Sequence, residues 1–304
     1  VKTCVVISSL NRSQVLHETV LSLQKQTIAP NAIVLSQCDA ASVLPETEKL
    51  PLVRVVQGSQ GLTKQRNRGA RFAPVGTEYV LFLDDDTELA PNYLESMQGL
   101  LDEKDEIAIA SGVCAADGLR LARALTRSEA TAAAAKHRCE NLTEAAEGAY
   151  GCNMFVRRSI LDNVVFDEGL PLEGWLEDYD FSVRCHKYGL VVWNHRTCVA
   201  HLGIQRMVRE RGLPVGYSQI ANPYYLWRKE VIPSFRMLLV KFWFPALRVS
   251  LQGTLRGRAP WNVIFDYKGR LHGNALALAD AVRLRLTPDR ILGLIESQPG
   301  TSKN

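Results

Sequence analysis

Apolar residues at the front of this chain come in short runs, and each run gives way to a stretch with a different rhythm. Thr3–Ser9 is β-branched, and behind it Val15, Leu16, Val20 and Leu23 recur at the spacing of one helical face through Gln26. Ala32–Ser36 and Leu52–Val56 are further short runs, bounded by Pro30, Pro51 and Gly58. Gly61–Ala73 reads as a helix behind a glycine turn, and Tyr79–Leu83 as a strand. Pro91–Leu101 reads as a helix with proline in its first turn, and Ile107–Val113 as another strand. Strand and helix in alternation predict an α/β fold, a mostly parallel central sheet flanked by helices.

Past Gly118 the rhythm changes. Leu119–Glu147 is rich in alanine and polar residues, which predicts a helix and a mobile loop over the sheet. Strand character returns at Gly151–Arg157 and Leu190–Ala200. From about Arg206 the chain turns helical and basic, broken by Pro214, Pro223, Pro233, Pro245 and Pro260. The expected division is an α/β domain over residues 1–205 and a helical C-terminal region over 206–304.

With 46% hydrophobic and 22% charged residues over 304 positions, the composition is that of a globular protein with a substantial core. No uncharged apolar run reaches the roughly 18 residues that a bilayer-spanning helix needs. The chain opens on Val1, inside a strand-like run and without a signal-peptide pattern. Its seven cysteines are odd in number and contain no C-x-x-C pair, which argues against a zinc ribbon or a disulfide framework. They read as core fillers in a reducing cytoplasm.

Charge divides the chain. Arg228–Arg290 holds twelve lysines and arginines against four acids, and the remainder carries an excess of acids within a total of +4. Between Tyr224 and Leu255, aromatic and aliphatic residues interleave with Arg236, Lys241 and Arg248. That composition fits either a helix lying in an anionic membrane surface or a helical subdomain with its basic rim in solvent. No groove-reading motif accompanies it, so nucleic acid is not an expected partner.

The candidate chemistry begins at Val80–Thr87, a greasy run that ends on Asp84, Asp85 and Asp86. Three adjacent carboxylates at a strand end repel one another and resist desolvation. A divalent cation, Mn2+ or Mg2+, resolves that conflict and leaves positions for substrate phosphates. Strand ends are also where open α/β sheets bind ligands. A solvated acidic turn is the plainer reading of the tripeptide.

Three other segments fall into line with it: Val5–Arg12, Gly61–Gly69 (Gly-Leu-Thr-Lys-Gln-Arg-Asn-Arg-Gly) and Glu173–Gly189 with its Gly-Trp-Leu-Glu-Asp-Tyr-Asp. In this order the set resembles the family 2 glycosyltransferases of GT-A fold, over roughly residues 3–205. The resemblance implies a metal-dependent, inverting enzyme that uses a nucleotide-diphosphate sugar. It implies donor contacts at Ser9, Asn11 and Arg12, and at Arg66 and Asn67 on the helix after the glycine turn. Asp84 is expected at the ribose and Asp86 at the metal, with Asp85 able to exchange roles with either. Asp178 is the expected general base. Glu177 and Trp175 would lie on the acceptor side, as would Asn153 within Gly151–Arg158. His201 is expected near the metal or diphosphate.

Plainer roles stand beside several of these. Gly61–Gly69 could be only a helix start, Glu177-Asp178 an acidic first turn favoured by the helix dipole, His201 a buried structural histidine and Trp175 a core aromatic. Arg206, Arg209 and Arg211 lie either across the diphosphate or in solvent. One departure bears on the donor. Family members usually carry acids after the second strand to receive the base's imide N–H, whereas this chain has Gln37 and Asp39. A glutamine both donates and accepts.

The resemblance also implies a glycan or lipid-linked acceptor and a cytoplasmic enzyme peripheral to the inner face of the membrane. Tyr224-Tyr225-Leu-Trp-Arg228 resembles the tail of rhamnosyltransferase-like members, with Lys229 where asparagine is usual. The Gln-x-x-Arg-Trp motif of processive synthases is missing, which points to single additions. The rival readings are a sugar nucleotidyltransferase, for which Ser8–Ser13 lacks the glycine-rich loop, and a non-catalytic nucleotide- or sugar-binding module.

Overall fold

The computed structural model describes residues 2–39, 42–121, 123–204, 212–256 and 266–296. The chain divides into two compact units. The first comprises Val1–Gly118, Leu125–Asp167 and Glu177–Gly203, and the second Leu119–Ala124, Glu168–Leu176 and Ile204–Asn304.

The first unit is built on strands β1 (Thr3–Ser8), β2 (Ala32–Gln37), β3 (Val53–Gln57) and β4 (Tyr79–Asp84). Helix α1 (Ser13–Leu23) follows β1, and α2 (Leu62–Arg71) follows β3. These four strands pair in parallel, as the alternating pattern predicts, and their order is β3-β2-β1-β4. Beyond β4 the sheet is mixed. It continues with β8 (Asn153–Arg157), β6 (Ile107–Asp117), β9 (Leu190–His201) and β5 (Thr87–Leu89). β8 runs antiparallel to both β4 and β6, while β6 and β9 are parallel. Two short strands carry too few residues to show a period, β5 and β7 (Thr143–Ala145), and both pair with β9.

Alternation along β1 divides its side chains between two cores. Val5 and Ile7 meet Leu16, Val20 and Leu23 of α1, together with Tyr93 and Met97 of α3 (Tyr93–Glu103). Cys4 and Val6 meet Ala70 of α2 on the other face, in a cluster that reaches Phe82, Phe166 and Phe181. Gly69 lets α2 approach, because a Cβ there would overlap the Val6 side chain. Phe166 stacks on Phe181 at 4.2 Å and meets the edge of Phe82 at 4.9 Å. Each such ring contributes about 1.5–3 kcal/mol by burial. Together they pin α5 (Glu177–Cys185) under the sheet.

Pro91 precedes α3 rather than opening it, and its carbonyl accepts the Thr27 amide at 2.9 Å. Within 119–147 the longer helix is α4 (Arg127–Lys136), started by a capping box between Thr126 and Glu129.

In the second unit, α6 (Gly212–Arg228) packs on α8 (Tyr267–Val282), with a helical run between them. That run is one turn (Phe235–Met237), a π-helical segment (Leu238–Trp243) and α7 (Phe244–Arg256). A Cβ at Gly216 would run into the Arg270 carbonyl, so glycine brings the α6 and α8 backbones together. Buried Asp280 accepts from Tyr217 Oη at 2.9 Å, Arg285 Nε at 2.7 Å and Arg290 Nε at 2.6 Å. The basic region therefore has a core of its own. Among the described residues, no helix is long and apolar enough to cross a membrane.

Candidate active site

Register aligns the C-terminal ends of three parallel strands: Ser8 on β1 lies opposite Ser36 on β2 and Asp84 on β4. In the order β3-β2-β1-β4 the winding reverses between β1 and β4, and such a switch point opens the crevice where open sheets bind ligands. Asn11 makes the turn from β1 into α1 in the left-handed region, at φ 55°.

Arg12, at the mouth of α1, neutralises part of the acidic triplet. Its guanidinium pairs with both oxygens of Asp85, Nε at 3.0 Å from Oδ2, and reaches Asp86 Oδ2 at 3.2 Å. Burial opposes the charge on Arg12, but Asp85, Asp86 and Asp84 outweigh it and raise the pKa. Asp85 is fully buried, and its carbonyl accepts Thr19 Oγ1 at 2.6 Å. Its carboxylate is thus engaged by Arg12 inside the fold, which leaves Asp84 and Asp86 as the acids at the crevice.

Helix α2 buries polar residues because each has a fixed partner. Gln65 Nε2 donates to the carbonyls of Ser9 at 3.0 Å and Ser36 at 2.8 Å, tying the ends of β1 and β2 together. The Asn67 amide pairs with the Phe166 backbone in both directions, at 2.9 and 2.8 Å. This expected donor contact instead secures the segment that carries Phe166. Arg66 contacts Glu177 Oε1 and donates to Asp84 Oδ1 at 3.2 Å and to the Gly151 carbonyl at 2.7 Å. Burial opposes its charge too, and Glu177, Asp84 and Asp178 overcome that and raise its pKa.

Glu177 and Asp178 open α5, as the acidic-turn reading expects, but they also face Arg66 and Gly151. Burial pushes the Glu177 carboxyl well above its ordinary value, Asp178 adds to the push, and Arg66 opposes it. Asp178 Oδ2 accepts the Gly151 amide at 3.0 Å, and Oδ1 the Tyr179 amide at 2.8 Å. A Cβ on Gly151 would stand 3.1 Å from both acids, so glycine is what lets the loop close over them.

Across the triplet, at the end of β9, His201 Nε2 lies 3.4 Å from Asp86 Oδ1 and Nδ1 lies 3.1 Å from Asp117 Oδ1. Burial alone would lower the His201 pKa. The bonds to Asp117 and Asp86 lift it to about 10. Asp84, Asp86 and His201 offer ligand atoms that all lie within 4.8 Å of one another, close enough to surround one ion. Two carboxylates and an imidazole suit a first-row divalent cation with water or phosphate completing the shell.

Beside the triplet, Ser8 Oγ, Ser9 Oγ, Ser36 Oγ and both amide atoms of Gln37 are buried without a hydrogen-bond partner among the described residues. Asp39, also expected at the donor, accepts from the Ser42 amide at 2.9 Å and from its hydroxyl at 3.1 Å.

Asn153 is not on an acceptor-facing surface. It is fully buried in β8, where Oδ1 accepts from Tyr93 Oη at 2.9 Å and from the Gly112 amide at 2.8 Å. Trp175 belongs to the second unit, is exposed, and its carbonyl accepts Asn222 Nδ2 at 2.9 Å. Arg206, Arg209 and Arg211 lie outside the described residues. Sequence reasoning missed Asp117. Its one signal was an acid at the close of an apolar strand.

An acid-lined crevice at the switch point of a mostly parallel sheet flanked by helices defines an α/β protein of the GT-A kind. Residues 4–165 match the glycosyl transferase family 2 profile, more than half of the chain, and the protein belongs to that family. No curated protein matches the sequence at a significant level. Among solved structures, the chain resembles residues 1–349 of S. aureus TarS, with 18% identity and a TM-score of 0.52 over 74% of this chain. It also resembles GalNAc-T7 bound to UDP, GalNAc and Mn2+, with 18% identity and a TM-score of 0.54 over 94% of this chain. The alignments take in 65% and 59% of those chains, so the chain spans less than two thirds of the length of either. At this identity the likeness is one of fold.

Proposed function

We propose that the protein transfers a sugar from a nucleotide-diphosphate donor to an acceptor hydroxyl with inversion, assisted by a divalent metal. The observation that carries this is the convergence of Asp84, Asp86 and His201 near buried serines and a glutamine that have no partner among the described residues. A bound cation would supply Lewis-acid neutralisation of the leaving diphosphate. The mixed oxygen and nitrogen donor set favours Mn2+ over Mg2+, and GalNAc-T7 is a neighbour in fold solved with Mn2+.

Ser8, Ser9, Ser36 and Gln37 are assigned to the nucleobase and ribose, with Gln37 free to donate to a base carbonyl and accept from a ring N–H. Arg66 holds Asp84 and Glu177 in place. Asp178 is assigned as general base, its carboxylate oriented by the Gly151 and Tyr179 amides. Attack by the acceptor oxygen on the anomeric carbon would expel the diphosphate directly, so no covalent glycosyl-enzyme forms.

The acceptor is assigned to lipid-linked or cell-surface glycans, reached by an enzyme held peripherally on the cytoplasmic face of a membrane. Support comes from the second unit. Val240, Phe244, Leu251 and Leu255 are exposed on one helical face, Val240 and Phe244 at 65% each. Lys241, Arg248 and Arg256 flank them, an arrangement suited to an anionic lipid surface.

Calorimetry of uridine and thymidine diphosphate, with Mn2+ or with chelator, tests the donor and metal assignments. Binding should be far tighter with metal, and Asp86→Ala should erase the difference. Equal affinity with and without metal in the unaltered protein would remove the proposed role of the cluster. Nucleotide release from a panel of nucleotide sugars would then identify the donor.

A further inference from the structure

We propose that Asp117 and Tyr150 are positioning residues for the metal site, Asp117 fixing the ring of His201 so that Nε2 faces the cation. The inference rests on the assignment of Asp84, Asp86 and His201 as ligands and adds residues that touch neither metal nor substrate.

Asp117 closes β6 and His201 closes β9, and the two are register partners on these parallel strands. That pairing is not the default. Cys114 faces Val199, so an unbroken register would bring Ala116 abreast of His201. An irregularity between Cys114 and Ala116 sets Ala116 opposite Ala200 and brings Asp117 level with His201. Bulges of this kind re-aim side chains beside functional sites.

The hydrogen bonds then form a chain. Tyr150 Oη donates to Asp117 Oδ2 at 2.9 Å, and Asp117 Oδ1 stands 3.1 Å from His201 Nδ1. His201 Nε2 is on the opposite side of the ring, 3.4 Å from Asp86 Oδ1. An ionised carboxylate only accepts. Nδ1 faces Asp117 and Nε2 faces Asp86, so a cation held by Asp86 would displace the proton on Nε2, while Asp117 retains the one on Nδ1 and leaves the Nε2 lone pair for the metal. Tyr150 fills the second oxygen of Asp117, so the carboxylate cannot swing away. The Tyr150 and His201 rings also meet edge to face at 6.2 Å, which restrains the imidazole plane. Metal-bound histidines are oriented this way by outer carboxylates, and loss of such a support commonly weakens metal binding about 10–100-fold.

The test measures Mn2+ affinity of the full chain from the paramagnetic resonance signal of free Mn2+, alone and with uridine diphosphate. Asp117→Asn keeps the volume but lets an amide N–H turn toward Nδ1, which moves the ring proton to Nε2 and blocks the ligand. It should weaken Mn2+ binding about 10–100-fold, with nitrogen NMR of the metal-free protein showing the changed His201 ring. Asp117→Ala should do the same, and Tyr150→Phe should act in the same direction with a smaller loss. Should the alanine variant fail to fold, the other two decide. Unchanged Mn2+ affinity in Asp117→Asn and Tyr150→Phe, with lowered melting temperature only, overturns the proposal and leaves Asp117 a fold residue. Asp86→Asn separates the two levels. If it abolishes binding while the Asp117 variants retain it, this inference alone fails. If the unaltered protein binds no Mn2+, the ligand assignment fails and takes the inference with it.

Discussion

Replacing Arg66 by methionine tests the electrostatic design of the site most directly. The guanidinium is buried and contacts Glu177, Asp84 and the Gly151 carbonyl, with Asp178 close enough to raise its pKa. Methionine fills much of the same volume but removes the cation that Glu177 and Asp84 contact. Removing one partner of a buried ion pair costs about 3–5 kcal/mol, far above the roughly 0–1 kcal/mol of an exposed pair. At a urea m-value of about 1–3 kcal/mol per M, the unfolding midpoint should fall by about 1–5 M. Glu177→Gln alone should cost much less, on the order of 1 kcal/mol. Burial and Asp178 already favour a neutral side chain there, and the amide oxygen can still accept the Asp178 N–H that Glu177 Oε2 accepts at 2.5 Å. Adding Glu177→Gln to Arg66→Met should therefore restore part of the loss, since replacing both partners is far milder than orphaning one. Urea unfolding of the four proteins, followed by circular dichroism, completes the cycle. A loss below about 1 kcal/mol for Arg66→Met, or strictly additive single effects, would refute a buried, coupled pair.

Asp178→Asn keeps shape but cannot take the acceptor proton. Turnover should drop on the order of 10²-fold or more while donor affinity stays near wild type, and lost donor affinity with turnover intact would return Asp178 to a structural role. In the second unit, changing Arg236, Lys241 and Arg248 together to Glu should abolish binding to anionic vesicles. Each cation near the lipid contributes about 1 kcal/mol and is screened by salt, so an unaltered protein that ignores such vesicles at low salt would sink the membrane assignment. Asp280 sets an acid limit on stability. Burial pushes its pKa up, but bonds from Arg290, Arg285 and Tyr217 prevail and hold the folded value below 3.8. That stabilisation is present above pH 3.8 and lost as pH falls through the lower folded value. Asp280→Asn should flatten this part of the acid-unfolding curve, and an unchanged curve would count against the network.

The mostly parallel sheet flanked by helices and the position of the triplet at a strand end were legible in the sequence, because both follow from local periodicity, whereas the strand order β3-β2-β1-β4 was not. Val5 and Ile7 on one face and Cys4 and Val6 on the other are set by alternation in a strand, and α1 by a 3.6-residue repeat. An acidic end to a greasy strand of an open α/β sheet marks where a ligand binds, while the switch point between β1 and β4 came from the strand order of the structure. The short strands β5 and β7 were not legible, having too few residues to establish a period.

Partner choice among the charged residues was decided only by the tertiary structure. Three consecutive aspartates look alike in sequence, yet the fold gives Asp85 to Arg12 over a separation of 73 residues and aims Asp86 at His201. Arg66 and Asn67 are adjacent on α2. One reaches Glu177, 111 residues away, and the other closes on the backbone of Phe166. Asp117 comes level with His201, 84 residues on, only because β6 slips by one residue at a bulge. Periodicity records which face of an element is buried. Which buried charge meets which depends on register and close packing between distant segments, where a one-residue slip exchanges one partner for another.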